Sequence, residues 1–161
     1  MASLRIHGRV RVWEYDLKGN ERRHWVLHNT VTSGGLTLLR DYLIARQAQL
    51  APTPPMYLAL GSGLTSQVGR FSTRLPGETF RTEIVAADPN GLSAVYHFFL
   101  GTSDNSQQTV AHYGLFAGPA TNAANTGILF AVVAEALPFS KDPTSTYAGD
   151  WTITLSGSLE A

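Results

Sequence analysis

Five histidines, a run of arginines and several spaced carboxylates are the side chains of this 161-residue sequence that could do chemistry. The histidines are His7, His24, His28, His97 and His112. His24 and His28 would share one face of a strand, but four residues apart they stand roughly 13 Å from each other. One metal ion needs closely convergent ligands and cannot bridge that gap. Neither a metal nor any other cofactor is therefore expected. Hydrolysis of a glycosidic bond needs two carboxyl groups held about 5 to 9 Å apart. Of the pairs available, Glu78 and Glu83 have opposite strand parity, while Asp88 and Asp104 fall in turn sequences, where acids are common. Gly61-Ser62-Gly63 has neither the spacing nor the following helix of a nucleophile elbow or a phosphate loop. These patterns point away from an enzyme.

Arg5, Arg9, Arg11, Arg22 and Arg23 form a basic strand pair, with Trp13 and Trp25 beside them. Such a pair could track a nucleic-acid backbone and stack bases. Glu14, Asp16 and Glu21 dilute it, however, and the formal net charge of the chain is zero. A protein-facing surface fits better, and Arg5, Arg9, Arg11, Trp13, Arg22 and Arg23 are the candidate assembly interface. Charge reversal at Arg9, Arg11 and Arg22 is then expected to weaken assembly and to leave stability within about 1 kcal/mol. Tyr96, Phe98, Phe99, Tyr113, Phe116 and Phe130 sit on adjacent predicted strands, where they can form core or a sugar-binding platform.

These residues need a scaffold, and its elements are legible in the pattern of apolar positions. Leu4 to Tyr15 alternates, with Ile6, Val10 and Val12 on one side and Arg5, Arg9 and Arg11 on the other. Trp13 and Tyr15 then appear on the arginine parity, as a bulge or a two-sided strand would require. Asp16 to Asn20 is a turn, and Arg22 to His28 returns as a second strand. Thr32 or Ser33 can cap a helix running over about 33–50, with Leu36, Leu39, Leu43 and Leu50 on one stripe. The proline cluster Pro52-Thr53-Pro54-Pro55 ends it.

From Met56 onward the reading is strands and turns: Met56 to Leu60, Thr79 to Ala87, Ser93 to Leu100, Thr109 to Phe116, Ile128 to Leu137 and Trp151 to Leu159. A polar loop covers Leu64 to Gly77, and Asp88-Pro89-Asn90-Gly91 reads as a tight turn. The sum predicts a mainly β chain. About eight antiparallel strands would form a sandwich or jelly-roll-like domain, with one helix and an N-terminal β-hairpin. One domain is expected over 1–161, with the arginine-rich hairpin at 1–28 and the helix plus β-sandwich body at 29–161.

Charge and composition narrow the function further. Charged residues make up only 15% of the chain, against roughly 25% in an ordinary soluble domain. Sparse charge suggests either neutral polar cover or surface buried in an assembly. Residues 1–74 carry ten Lys/Arg against four Asp/Glu, and residues 75–161 carry two against eight. The two halves can pair within one fold or steer neighbouring copies together. Cysteine is absent, which removes disulfides and thiolate chemistry and favours folding in a reducing cytoplasm. Met1 to Val12 has no continuous apolar core, so no signal peptide is expected. The apolar run Gly127 to Leu137 is broken by Glu135 and too short to span a bilayer; no membrane partner is expected.

Several segments, taken in order, carry a resemblance. His28-Asn29-Thr30-Val31-Thr32 leads into the Leu-rich helix, followed by Pro54-Pro55-Met56-Tyr57-Leu58-Ala59-Leu60-Gly61-Ser62-Gly63. Then come Glu78-Thr79-Phe80-Arg81-Thr82, Tyr113-Gly114-Leu115-Phe116 and Trp151-Thr152-Ile153-Thr154-Leu155. Over about residues 25–157 this string resembles a family of small bacteriophage structural domains associated with tails, baseplates or fibres. In that family a small residue after an acid usually precedes Gly-Leu-Phe; here the position is His112-Tyr113. The resemblance implies a non-enzymatic virion structural protein, made in the host bacterial cytoplasm. It would assemble with itself, as a trimer for example, and dock on other phage structural proteins. Capsid decoration on the head lattice is the alternative role, and a module that binds host glycans is a further one.

Overall fold

In a computed structural model, residues 2–43 and 56–159 are described. The chain is mainly β, as expected. Its strands are β1 (Ala2–Tyr15), β2 (Glu21–Val31), β3 (Tyr57–Gly61), β4 (Glu78–Glu83), β5 (Ala86–Asn90), β6 (Ser93–Leu100), β7 (Thr109–Ala117), β8 (Ile128–Ser140) and β9 (Thr146–Leu159), with a helix α1 (Ser33–Leu43) after β2. They number nine against the eight or so expected, and they join into one sheet of order β4-β3-β7-β8-β2-β1-β9-β6-β5. Consecutive pairs in that order are antiparallel. The sheet curls into a half-barrel. Among the described residues, strand pairing joins its two halves where the end of β2 meets β8 at Thr30↔Val132 and Val31↔Ala131.

The curl makes one shared core. Val10, Val12, Trp151 and Ile153 from the β2-β1-β9-β6-β5 half face Leu58, Leu60, Tyr113, Leu115 and Val133 from the other. Burying side chains of this size from both halves supplies the main folding force, about 1.5–3 kcal/mol for each fully covered one. Helix α1 closes the inner side. Thr32 caps it by accepting the Gly35 N–H at 3.1 Å, and Gly35 and Leu38 are buried while Leu43 is exposed. Residues 44–50 of the expected helix lie outside the described residues.

The outer faces of the two halves differ. On the β4-β3-β7-β8 half, the segment between β3 and β4 folds back and seats Leu75, with Val68 beside it, on Ala59, Phe116, Leu129 and Val132. The expected polar loop is thus a cover, and β7 is buried on both sides from Val110 to Ala117. Among the described residues the five-stranded half has no such cover on its outer side, which carries exposed Val26 and Phe99.

Several local expectations change. The N-terminal hairpin is not an appendage: β1 pairs with β9 over fourteen positions and lies inside the sheet. For the same reason β9 is central, between β1 and β6. Ala86 to Asn90 forms edge strand β5, and the turn moves to Gly91, where φ is +59°. Pro89 on that edge removes a donor and blunts further pairing.

The glycines around Ser62 are needed for space rather than for unusual dihedrals. Gly61 and Gly63 are not among the positive-φ residues. A Cβ on Gly61 would overlap the ring of buried His112, and one on Gly63 would stand 2.5 Å from Cβ of Pro76. Gly61→Ala is therefore expected to cost on the order of 1–3 kcal/mol by overpacking. Chemical denaturation checks this; an unchanged midpoint would contradict the packing reason.

Candidate functional site

The uncovered outer face of the five-stranded half is built by strand register. β1 alternates strictly, so Arg5, His7, Arg9, Arg11 and Trp13 all point outward while Val10 and Val12 enter the core. Pairing then aligns rows across the sheet. Arg9 sits opposite His28 on β2 and Thr152 on β9. His7 sits opposite Thr154, which pairs with Ser93 on β6. Trp13 is opposite Ala148, which pairs with exposed Phe99.

A continuous polar chain crosses four strands, following the Arg11–Asp150–His97 row and stepping to Asp88 of the neighbouring row. Asp88 Oδ2 on β5 lies 3.1 Å from His97 Nε2, and His97 Nδ1 lies 2.6 Å from Asp150 Oδ1. Asp150 Oδ2 in turn accepts from Arg11 at 3.3 Å. Both acids are thereby committed within the face. Beside the row, His7, Arg9, Arg11 and His28 surround a hollow of about 350 Å³. Neutral polar groups of Asn90, Ser93, Thr152 and Thr154 complete its wall.

Of the six candidate interface residues, Arg22 and Arg23 do not join this face, although their side chains stay 39% and 47% exposed. The register of β1 against β2 shifts between Glu14 and Tyr15, leaving Arg22 as the extra residue of a bulge. Both arginines turn toward Glu14, which has the core parity of β1 and is 6% exposed. Arg23 Nε pairs with Glu14 Oε2, Ser145 donates to Oε1 at 2.7 Å, and Arg22 bridges Ser145 and Asp142 at 2.8 and 3.0 Å. Burial alone would raise the Glu14 pKa, but the hydrogen bonds from Ser145 and Arg23 outweigh it and hold the group below its ordinary value. Charge reversal at Arg22 would strike this buried acid, so that position is structural. Arg11 with Asp150 and Arg22 with Asp142 also join the basic first half of the chain to the acidic second half within one molecule.

A second hollow, about 280 Å³, lies where β2 and β8 diverge, walled by Trp25, Leu137, Phe139 and Arg23. The Arg23 guanidinium lies 4.5 Å from the Trp25 ring centre and 4.7 Å from that of Phe139, and the two rings meet edge to face. At its base, Glu135 accepts from Trp25 Nε1 at 2.9 Å and from Tyr113 OH at 2.6 Å. Burial pushes the Glu135 pKa up, only partly offset by those two bonds and by Arg23. Its sign is opposite to that of Glu14. A raised folded pKa contributes stability below the unfolded value and loses it as pH rises through the folded one. Glu135→Gln keeps an acceptor for both donors and removes the buried charge. The variant should melt higher than the native protein at mildly alkaline pH and close to it near pH 4.5, the ordinary glutamate value. Melting curves at the two pH values check the sign.

The remaining chemistry-bearing residues resolve into structural contacts. Glu78 pairs with Arg81, Glu83 accepts from Tyr57 OH at 3.1 Å, and Asp104 caps the Gly101 N–H at 2.8 Å. Ser62 donates to the Gly77 carbonyl at 3.2 Å. His112 is fully buried, and burial lowers its pKa. Of the aromatic set, Phe98, Tyr113, Phe116 and Phe130 are core, while Phe99 faces out. Among the described residues no group of three or more His, Cys, Asp or Glu could hold a metal ion, and no helix is long and apolar enough to cross a membrane. The convergence of His7 and His28 on Arg9 was missed in the sequence; only the β1–β2 register could have shown it. Comparison with protein-family models, curated proteins and solved structures gives no match.

Proposed function

We propose that this chain is a non-enzymatic structural protein of a bacteriophage virion, associated with the tail, fibre or baseplate. It acts by self-assembly, as a trimer for example, and by docking on other virion proteins. The observation that carries this reading is the inequality of the two outer faces. One half of the sheet is covered by the chain's own β3–β4 segment. The other leaves Val26 at 47% and Phe99 at 51% exposed, among outward-facing Arg5, Arg9, Arg11 and Trp13. Aromatic residues and arginine are enriched where proteins meet. The low charged share of the sequence and the ordered string of resembling segments support the same reading.

Arg9→Glu with Arg11→Glu is the expected disruption. Arg9 makes no ion pair among the described residues, and that of Arg11 is half-buried, with the Arg11 and Asp150 side chains 41% and 21% exposed. Stability should stay within about 1 kcal/mol, as is usual for exposed pairs, while co-assembly into particles falls. Mass spectrometry of separated heads and tails tests the location. Recovery with tails supports the reading, recovery with heads alone shifts it to capsid decoration, and absence from both overturns it.

A further inference from the structure

The geometry points to the hollow bounded by His7, Arg9, Arg11 and His28 as a binding site for an acidic sugar, a carboxylate carried on a polyhydroxylated ring. This goes beyond the assembly reading and does not rest on it, since the hollow belongs to a single chain.

Three observations converge on that ligand. The first is charge: two guanidinium groups and two imidazoles face the hollow, and no carboxylate is among its lining residues. Asp150, the nearest acid by register, is already shared by Arg11 and His97. Arg11 uses NH2 for that contact, while its buried Nε has no hydrogen-bond partner. Arg9 is exposed and is cross-strand from His28, so the two can close on one oxyanion from neighbouring strands. Guanidinium and carboxylate match in a fork geometry that a point charge does not offer.

The second observation is the neutral part of the wall. The Ser93 and Thr154 hydroxyls bond each other at 2.7 Å, which leaves one of their two protons free; with Thr152 and Asn90 they still offer both donors and acceptors. An inorganic oxyanion such as sulfate offers acceptors only and would leave the acceptor half of this set unused. Sugar hydroxyls use both. The third is size: about 350 Å³ is at the lower end of small-molecule pockets and larger than one oxyanion requires. A nucleic-acid strand fits worse, because Asp88 at the β5 end of the Arg9–Thr152–Val95 row and Asp150 in the adjacent row stand where a phosphate backbone would continue.

The test is a titration of the isotope-labelled full chain, followed by amide and histidine-ring resonances. Sodium glucuronate is the probe, with glucose and inorganic sulfate as separate arms. The expected result is saturable shifts confined to β1, β2, β6 and β9 around His7, Arg9 and His28, with glucose giving none and sulfate binding at least tenfold more weakly. Arg9→Glu should weaken glucuronate binding by about tenfold or more, the loss of one charge-assisted contact. His28→Ala, a change at an exposed position, provides a second variant with the same expected direction. Absence of saturable shifts overturns the site. Equal binding of sulfate overturns the sugar assignment, and unchanged binding by both variants overturns the location. None of these outcomes touches assembly, so failure here and failure of the virion reading are separable.

Discussion

Replacing Arg81 with alanine should cost about 3–5 kcal/mol of folding stability, the penalty for breaking a buried ion pair from one side. The Arg81 and Glu78 side chains are 2% and 1% exposed. They meet in a two-bond fork, Nε to Oε1 at 2.7 Å and NH2 to Oε2 at 3.0 Å. On a regular strand, residues three apart face opposite ways. Here the register against β3 shifts, with Leu60 opposite Phe80 and Gly61 opposite Glu78, so Thr79 is bulged and Glu78 swings onto the Arg81 side.

The pair also fastens the loop between β7 and β8. Arg81 NH1 donates to the Thr121 and Thr126 carbonyls at 3.1 and 2.8 Å, and the Asn125 N–H reaches Glu78 Oε2 at 2.9 Å. The guanidinium covers the Phe116 ring at 4.0 Å. Alanine would leave Glu78 charged and buried and would release the loop. Removing both charges, as in Glu78→Gln with Arg81→Met, should cost less than Arg81→Ala alone. Urea denaturation of the three proteins checks this; a single variant that loses under 1 kcal/mol would contradict the pair's structural role.

Lys141→Met carries the second large effect, an expected loss of about 2–4 kcal/mol. Lys141 is 1% exposed. Its ammonium reaches the carbonyls of Gly101, Thr102 and Ser145 at 2.7, 3.2 and 3.4 Å and lies 5.3 Å from the Tyr147 ring centre. It thereby ties the β6–β7 connection to the β8–β9 connection at one end of the half-barrel. Burial lowers its pKa, opposed by Asp104, Asp142 and Glu14. Methionine keeps the apolar stem and deletes the donor, so the loss reads the unsatisfied carbonyls rather than a cavity. Buried acceptors left without a partner cost about 1–3 kcal/mol each, and relaxation toward water will recover part of that. Equal stability of the methionine variant would show that the carbonyls find other donors.

Much of the architecture could be read from alternation and punctuation. Val10 and Val12 against Arg9 and Arg11 placed β1 correctly, and Trp151 and Ile153 gave the inward face of β9. What failed was non-local. Glu14 has core parity, and an acid there is tolerable only because the Arg22 bulge brings two arginines and Ser145 to it. No window of sequence shows that arrangement. β5 reads Ala-Ala-Asp-Pro-Asn, which has little strand propensity and is strand only because β6 offers it an edge. The same limit applied to the site: Arg9 and Arg11 were visible as an outward stripe, but not that register would add His28, Thr152 and Thr154. Arg22 and Arg23 were grouped with that stripe as the returning strand of the hairpin, and the bulge that turns them toward Glu14 was not legible.

Oxidative footprinting of the free chain and of intact particles that contain it measures the contact face itself. Trp13 and Phe99, two strands apart on the uncovered side, should lose most of their labelling in the particle, while exposed Phe71 in the β3–β4 segment keeps its own. Equal labelling of Trp13 and Phe99 in both samples would mean that this side never meets a neighbour, and the proposed role would be wrong.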